Sequence, residues 1–285
     1  MKILLCTDGS AYSQVSYDYA AWLAARIDTE IEVLYVTDSR KEQAVRSPDF
    51  SGSIGIGSYQ QLLEKLVEIE SDRAKINHKR AKYILEQAET FFSTHNIEQI
   101  KLTHKTGFLV DLLHKFEDNT DLILLGKRGE TADFASEHLG ANMERIVRAS
   151  GKPCLVTPRE FKPIYKVLVA YDGGESCQEA LNYIVTLPIL KDLELHIVTV
   201  ASKDKKAAIQ HLKAAEEIAI AANFKPTCQL LTGNPEEKIQ KYVENNDINF
   251  LIVGAYGHNR IRHLVIGSTT AQMLRSSHIP VLLFR

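Results

Sequence analysis

Short apolar runs alternate with longer amphipathic segments from one end of the chain to the other. In the second half the runs are VLVAYD at 167–172, LELHIVTV at 193–200, CQLLTG at 228–233, FLIVGA at 250–255 and PVLLFR at 280–285. They are rich in Val, Ile and Leu with little polar–apolar alternation, so they read as strands buried on both faces. The stretches between them, Ser176 to Leu187, Lys203 to Ala222, Glu236 to Asn245 and Ala271 to Arg275, carry helical spacing. Strands separated by helices predict a parallel sheet with helices on both faces, an α/β fold. Such a sheet binds ligands at the carboxyl ends of its strands, where the chain order reverses.

The chain also repeats itself. KILLCTDGS at 2–10 matches KVLVAYDGG at 166–174, and LILLGKRG at 122–129 matches FLIVGAYG at 250–257. RASGKPCLVTPR at 148–159 then matches RSSHIPVLLFR at 275–285. Three matches in one order predict two copies of one domain, 1–158 and 164–285, joined where Pro158 and Pro163 bracket a charged linker. Asp8 and Asp172 lie 164 residues apart but Gly126 and Gly254 only 128, so the first copy holds 36 extra residues before its glycine motif. Ser, Gly and Pro dominate Arg46 to Gln61, which reads as a long surface loop ahead of a helix from about Leu62 to Ser93.

Composition narrows the function. A length of 285 residues suits two domains of about 150 residues each. With 34 basic and 36 acidic side chains the net charge is −2, which offers no bulk attraction to nucleic acid or anionic lipid. Cys6, Cys154, Cys177 and Cys228 form no C-x-x-C pair, which argues against zinc ribbons, thioredoxin-like chemistry and a disulfide framework. They read as reduced core residues. The first apolar run reaches a charged turn at Asp8, too short for a signal peptide, and no stretch approaches the ~20 apolar residues of a membrane span. The expectation is a cytoplasmic protein.

The informative residues stand at the predicted strand ends. Gly254-Ala255-Tyr256-Gly257 follows an apolar run, nine residues intervene, and Gly267-Ser268-Thr269-Thr270 opens a helix. Glycine lets a backbone approach a ligand closely. A Gly-Ser-Thr helix start offers amides, hydroxyls and the positive end of the helix dipole to a phosphate. A G-x-x-G alone serves equally well as a plain turn between strand and helix.

The full spacing, in a domain opening with VLVAYDG, resembles the nucleotide-binding branch of the universal stress protein family. The resemblance covers nearly the whole chain apart from Arg46 to Gln61, and two copies make the chain similar to a tandem member. It implies a five-stranded parallel α/β fold per domain (adenine nucleotide alpha hydrolase-like) with ATP at the strand ends, AMP or ADP being alternatives, with or without Mg²⁺. It assigns the adenosine contact to Asp172, with Gly173 beside it, and the adenine contact to Val200. Gly254, Gly257, Gly267 and Ser268 match the positions that hold ribose and phosphates, with Thr269 adjacent. Arg260 lies between the phosphate-facing glycines with His258, Arg262 and His263, either as a solvated face or with one arginine on phosphate. The two histidines, five residues apart, lack metal-ligand spacing. Tyr171 and Tyr256 are either pocket walls or packing.

The first copy departs from the pattern. Ten residues rather than nine precede Gly140, and Ala141-Asn142 replaces Ser-Thr. Glu130, Asp133 and Glu137 add negative charge where phosphate would lie, which predicts a weak or lost ATP site and leaves room for another ligand. Asp8 and Val36 still match the nucleoside end. No G-x-x-x-x-G-K-[ST] is present, which excludes a P-loop ATPase. Tyr171 to Ser176 is only faintly similar to the Ser-Gly-Gly-x-Asp-Ser loop of ATP pyrophosphatases, lacking its leading Ser and its Asp.

The first expectation is therefore a stress-response regulatory module that binds an adenine nucleotide and acts through unknown protein partners, with at most slow ATP hydrolysis or autophosphorylation. A small-molecule or lipid-like ligand scaffold built on the first domain is the second reading, and an adenylyl- or phosphoryl-transfer enzyme the third. The family likeness further implies pairing of the two domains through Pro153–Thr157 and Pro280–Phe284, with a homodimer of the whole chain as a further possibility.

Overall fold

In the computed structural model the described residues are 1–38, 56–130, 139–201, 205–254 and 268–285. The apolar runs of both halves form strands, and helices cover them on each side. The first half runs β1 (Lys2–Thr7), α1 (Ala11–Ala24), β2 (Glu30–Asp38), α2 (Ile56–Thr94), β3 (Ile100–Gly107), α3 (Leu109–Glu117), β4 (Leu122–Gly126), α4 (Ala141–Ala149) and β5 (Cys154–Thr157). The second runs β6 (Lys166–Ala170), α5 (Glu175–Thr186), β7 (Glu194–Ala201), α6 (Lys205–Ala221), β8 (Thr227–Thr232), α7 (Pro235–Asn245), β9 (Phe250–Gly254), α8 (Ser268–Ser276) and β10 (Val281–Phe284). Helix α2 starts at Ile56, so the expected loop gives way to helix over its last six residues; extending a nucleated helix by a turn costs little. Residues 39–55 lie outside the described residues.

Strand order is β3-β2-β1-β4-β5-β10-β9-β6-β7-β8 in a single ten-stranded sheet. Pairing is parallel within each half and antiparallel at the centre, where Val281, Leu282 and Leu283 face Val156, Leu155 and Cys154. The last strands of the two halves therefore lie side by side and join both copies into one sheet. Its two faces carry two cores, and each core draws residues from both halves: Leu5, Leu155, Leu181 and Leu282 on one face, Leu4, Cys154, Leu168 and Leu283 on the other. Burial pushes the thiols of Cys6, Cys154 and Cys177 up to about 12, so at neutral pH they are protonated packing residues.

Each half also closes a helix of the other. A helix leaves its last carbonyls without intrahelical partners, and a cation is the favoured donor at that end. Lys127, just past β4, donates from Nζ to the carbonyls of Arg275 and Ser277 at 2.6 and 2.9 Å, where α8 ends. Arg285 donates from Nη1 to Ala149 and Ser150 at 3.2 Å each, where α4 ends. Burial, with the nearby charge of Arg128, lowers the Lys127 pKa to about 8.

The unfolded lysine titrates near 10.4, so between about pH 8 and 10.4 the unfolded chain holds more protons at this position than the folded one. The stability this residue contributes is present in full above the unfolded value and is lost as the pH falls through about 8. Lys127→Met should therefore fall behind the wild type by a margin that widens from pH 7 to pH 10 in urea titrations. A margin that is constant or narrows would contradict the assignment.

Candidate functional site

Parallel pairing sets the carboxyl ends of β9, β6 and β7 side by side. Ala170 is in register with Val253 on one side and Val198 on the other. Asp172, Gly254 and Val200, one or two residues further along, therefore share one rim of the second half, as the strand pattern predicted. Asp172 is exposed, and its Oδ1 accepts the Gly174 amide at 2.8 Å to close the turn into α5. Gly173 in that turn has φ +81°, a left-handed backbone suited to glycine, and a Cβ there would run into the His211 ring. His211 on α6 thus walls the site beside Asp172. Sequence reasoning missed it, because a histidine in the middle of an amphipathic helix carries no local signal.

The other motif residues divide clearly. At Gly254 a Cβ would meet Cys177 Sγ at 2.8 Å and the Cys177 amide nitrogen at 3.3 Å, so this glycine is demanded by the packing of α5. Thr270, named in the sequence only as part of the helix start, donates from Oγ1 to the Gly254 carbonyl at 3.3 Å and ties the first turn of α8 to the end of β9. Ser268 is the first residue of α8, and Thr269 beside Thr270 is half-buried. Gly257, Arg260 and Gly267, together with Tyr256, His258, Arg262 and His263, lie outside the described residues. Tyr171 is 3% exposed within the core, so it is packing rather than a pocket wall.

The matching rim of the first half opens into a cleft of about 560 Å³. Asp8, Val36, Gly126, Gly129 and Gly140 line it at the positions that the repeat predicts. The Asp8 carboxylate accepts the Ser10 amide at 3.0 Å and the Glu130 amide at 2.9 Å, which fastens β1 to the glycine loop. At Gly129 a Cβ would lie 2.6 Å from Asp8 Oδ2, so that contact needs glycine there.

The described residues qualify one part of the electrostatic expectation for this cleft, the role of Glu130. Glu130 is paired with Arg80 of α2 at 2.7 Å, and that hydrogen bond raises the Arg80 pKa. Among the described residues, Arg73, Arg80, Arg128 and Arg145 line the cleft against Asp8, Asp38 and Glu130, four positive to three negative charges. Asp133 and Glu137 lie outside the described residues. The acidic stretch hid this balance because two of the arginines arrive on a helix about fifty residues earlier in the chain. What still sets this copy apart from a phosphate site is the ten-residue spacing and Ala141.

Comparison with known proteins places the chain. The model of the universal stress protein family matches residues 1–158 and 164–285. A universal stress protein of Synechocystis sp. is 54% identical over 285 residues, spanning 100% of this chain and 99% of its own length. A universal stress protein of Methanocaldococcus jannaschii is 24% identical over 162 residues, covering 55% of this chain and 88% of the relative. Among solved structures, a universal stress protein from Archaeoglobus fulgidus DSM 4304 shares the fold at TM-score 0.66 and 22% identity, over 100% of this chain and 96% of that one. Two family matches in succession, within one continuous ten-stranded sheet, leave a single conclusion: the chain belongs to the universal stress protein family and carries two of its domains in tandem.

Proposed function

We propose that the protein is an adenine-nucleotide-responsive regulatory module, with ATP held by the second domain. The observation that carries this reading is the shared rim of Asp172, Val200 and Gly254, followed in the sequence by the nine-residue spacing to Gly267-Ser268. Asp172 is exposed, with Oδ1 accepting the turn amide, and an exposed carboxylate suits a ribose hydroxyl. The start of α8 offers backbone amides to phosphate, and the sequence places the hydroxyl residues Ser268 and Thr269 there. Arg260 and the residues around it supply positive charge in the intervening sequence. Binding, with signalling to protein partners through the bound state, is the reading, and the sequence offers no P-loop for a Walker-type ATPase.

The arginine-lined cleft of the first domain favours a second ligand there, an anionic small molecule rather than a lipid. Calorimetric titration of the purified chain with ATP, after mass spectrometry of whatever ligand the denatured protein releases, tests both points. One ATP per chain is expected. A stoichiometry near two, or no heat at 1 mM ATP from ligand-free protein, would overturn the assignment to the second domain.

A further inference from the structure

We infer that α2 is a self-association surface, and that a second copy of the chain docks on it as an antiparallel helix. The helix has 39 residues and is therefore about 58 Å long. Its C-terminal part packs on the sheet through Ala81, Ile84, Leu85, Ala88 and Phe92. From 64 to 80 every residue except Asn77 is exposed. Five of the eight exposed large hydrophobic residues among the described ones lie on this helix: Leu66, Val67, Ile69, Ile76 and Tyr83. Ile69, Ile76 and Tyr83 are 51, 64 and 62% exposed and recur every seven residues. An exact seven-residue apolar repeat drifts by about 20° per heptad around a helix, the geometry of a stripe that meets a second helix in a left-handed pair.

Charge names the occupant. Residues 64–72 carry Glu64, Glu68, Glu70 and Asp72 against Lys65, a net −3. Residues 73–82 carry Arg73, Lys75, Lys79, Arg80 and Lys82 with no acid. Arg80 and Lys82 are paired with Glu130 and Glu86 within the chain and Lys75 with Asp72, and positive charge still dominates this half. An antiparallel copy lays each half on its complement. With the two-fold axis between Asp72 and Arg73, residue numbers at one level sum to 145. Ile69 then meets Ile76 of the partner subunit, Asp72 meets Arg73 of the partner subunit, and Glu68 comes beside Lys75 of the partner subunit. Such a contact is isologous and closes at two copies. The acidic half disfavours an anionic membrane as the occupant, and β5 and β10, paired with each other, are spent inside the chain.

Sedimentation velocity of the full chain from 1 to 200 µM tests the inference. A monomer–dimer equilibrium in the micromolar range is expected, as suits a small contact. Ile69→Glu with Ile76→Glu should weaken it at least twentyfold while leaving the circular dichroism unchanged, since both side chains are exposed. Glu68→Lys alone should weaken it several-fold, and adding Lys75→Glu should restore it, which a merely disrupted helix would not do. A chain monomeric at 200 µM, a dimer indifferent to the isoleucine substitutions, or a failed charge-swap rescue would each overturn it. So would a monomer that instead co-sediments with phosphatidylserine vesicles.

Discussion

Valine in place of Gly126 should lower the melting temperature of the protein by about 10 °C, whereas alanine in place of Gly151 should leave it unchanged. A Cβ at Gly126 would stand 2.9 Å from both the carbonyl carbon and the Cβ of Tyr12, and 3.1 Å from the Tyr12 carbonyl oxygen. Two of those three atoms are backbone, in the first turn of a helix packed across the sheet, so relief requires moving α1 rather than turning one side chain. Overpacking of that kind costs on the order of 3 kcal/mol, and each kcal/mol lowers the melting temperature by roughly 2–4 °C in a chain this large. A Cβ added at Gly151 would meet nothing within 4 Å, so that position isolates the effect of the glycine backbone itself.

Gly254 repeats the contact in the second half, against Cys177 and Ser176, and its valine variant should behave like Gly126→Val. Thermal melts followed by circular dichroism decide it, and a loss below 2 °C at both positions would refute the packing account. The consequence for function is direct. Loss of nucleotide by a Gly254 variant would report a displaced helix, not a missing ligand contact.

The diagnostic glycine is the one at the helix start. Gly267→Val should weaken ATP binding by about a hundredfold or more, and Gly140→Val should leave it nearly untouched. On the proposed reading, a side chain at 267 would keep the backbone from approaching phosphate and would cost the Ser268 amide its contact. Two or three charge-assisted hydrogen bonds at ~1–3 kcal/mol each account for a loss of that size. At Gly140, the N-terminal cap of α4, a Cβ would lie 3.2 Å from Arg128 Cα and the Lys127 carbonyl oxygen, a crowding of the first domain's glycine loop. Both variants need a melt beside the titration, so that lost affinity is separated from lost fold. Equal losses of affinity from the two substitutions would sink the asymmetry between the domains.

Much of the candidate site was legible because it depends on where strands stop. The apolar runs ending near Asp172, Val200 and Gly254 marked three strand ends, and parallel order alone brings such ends to one rim. His211, Arg73 and Arg80 were not legible. Each is one polar residue on an amphipathic helix, and periodicity says only that such a residue avoids the core. The role of Glu130 was misread for the same reason: its charge was visible, while the arginine that neutralises it stands fifty positions away. Tyr171 shows the converse, since a tyrosine beside a ligand motif and a tyrosine filling the core look alike until burial is known.

By itself the sequence determined two copies of an α/β unit, the order of strands and helices in each, and the position of the glycine motifs. These follow from local physics: each element shows which side is to be buried through its own spacing of apolar residues, and each turn is written in its own glycines and aspartates. The family likeness implied that Pro153–Thr157 and Pro280–Phe284 pair, and the tertiary structure bears this out and alone decided the sense and register, with Val281 to Leu283 running antiparallel to Cys154 to Val156. It also decided that Lys127 and Arg285 each close a helix of the opposite half. Those partners are 148 and 136 residues apart. No local pattern encodes a contact at that separation, because its free energy exists only once the intervening chain has folded.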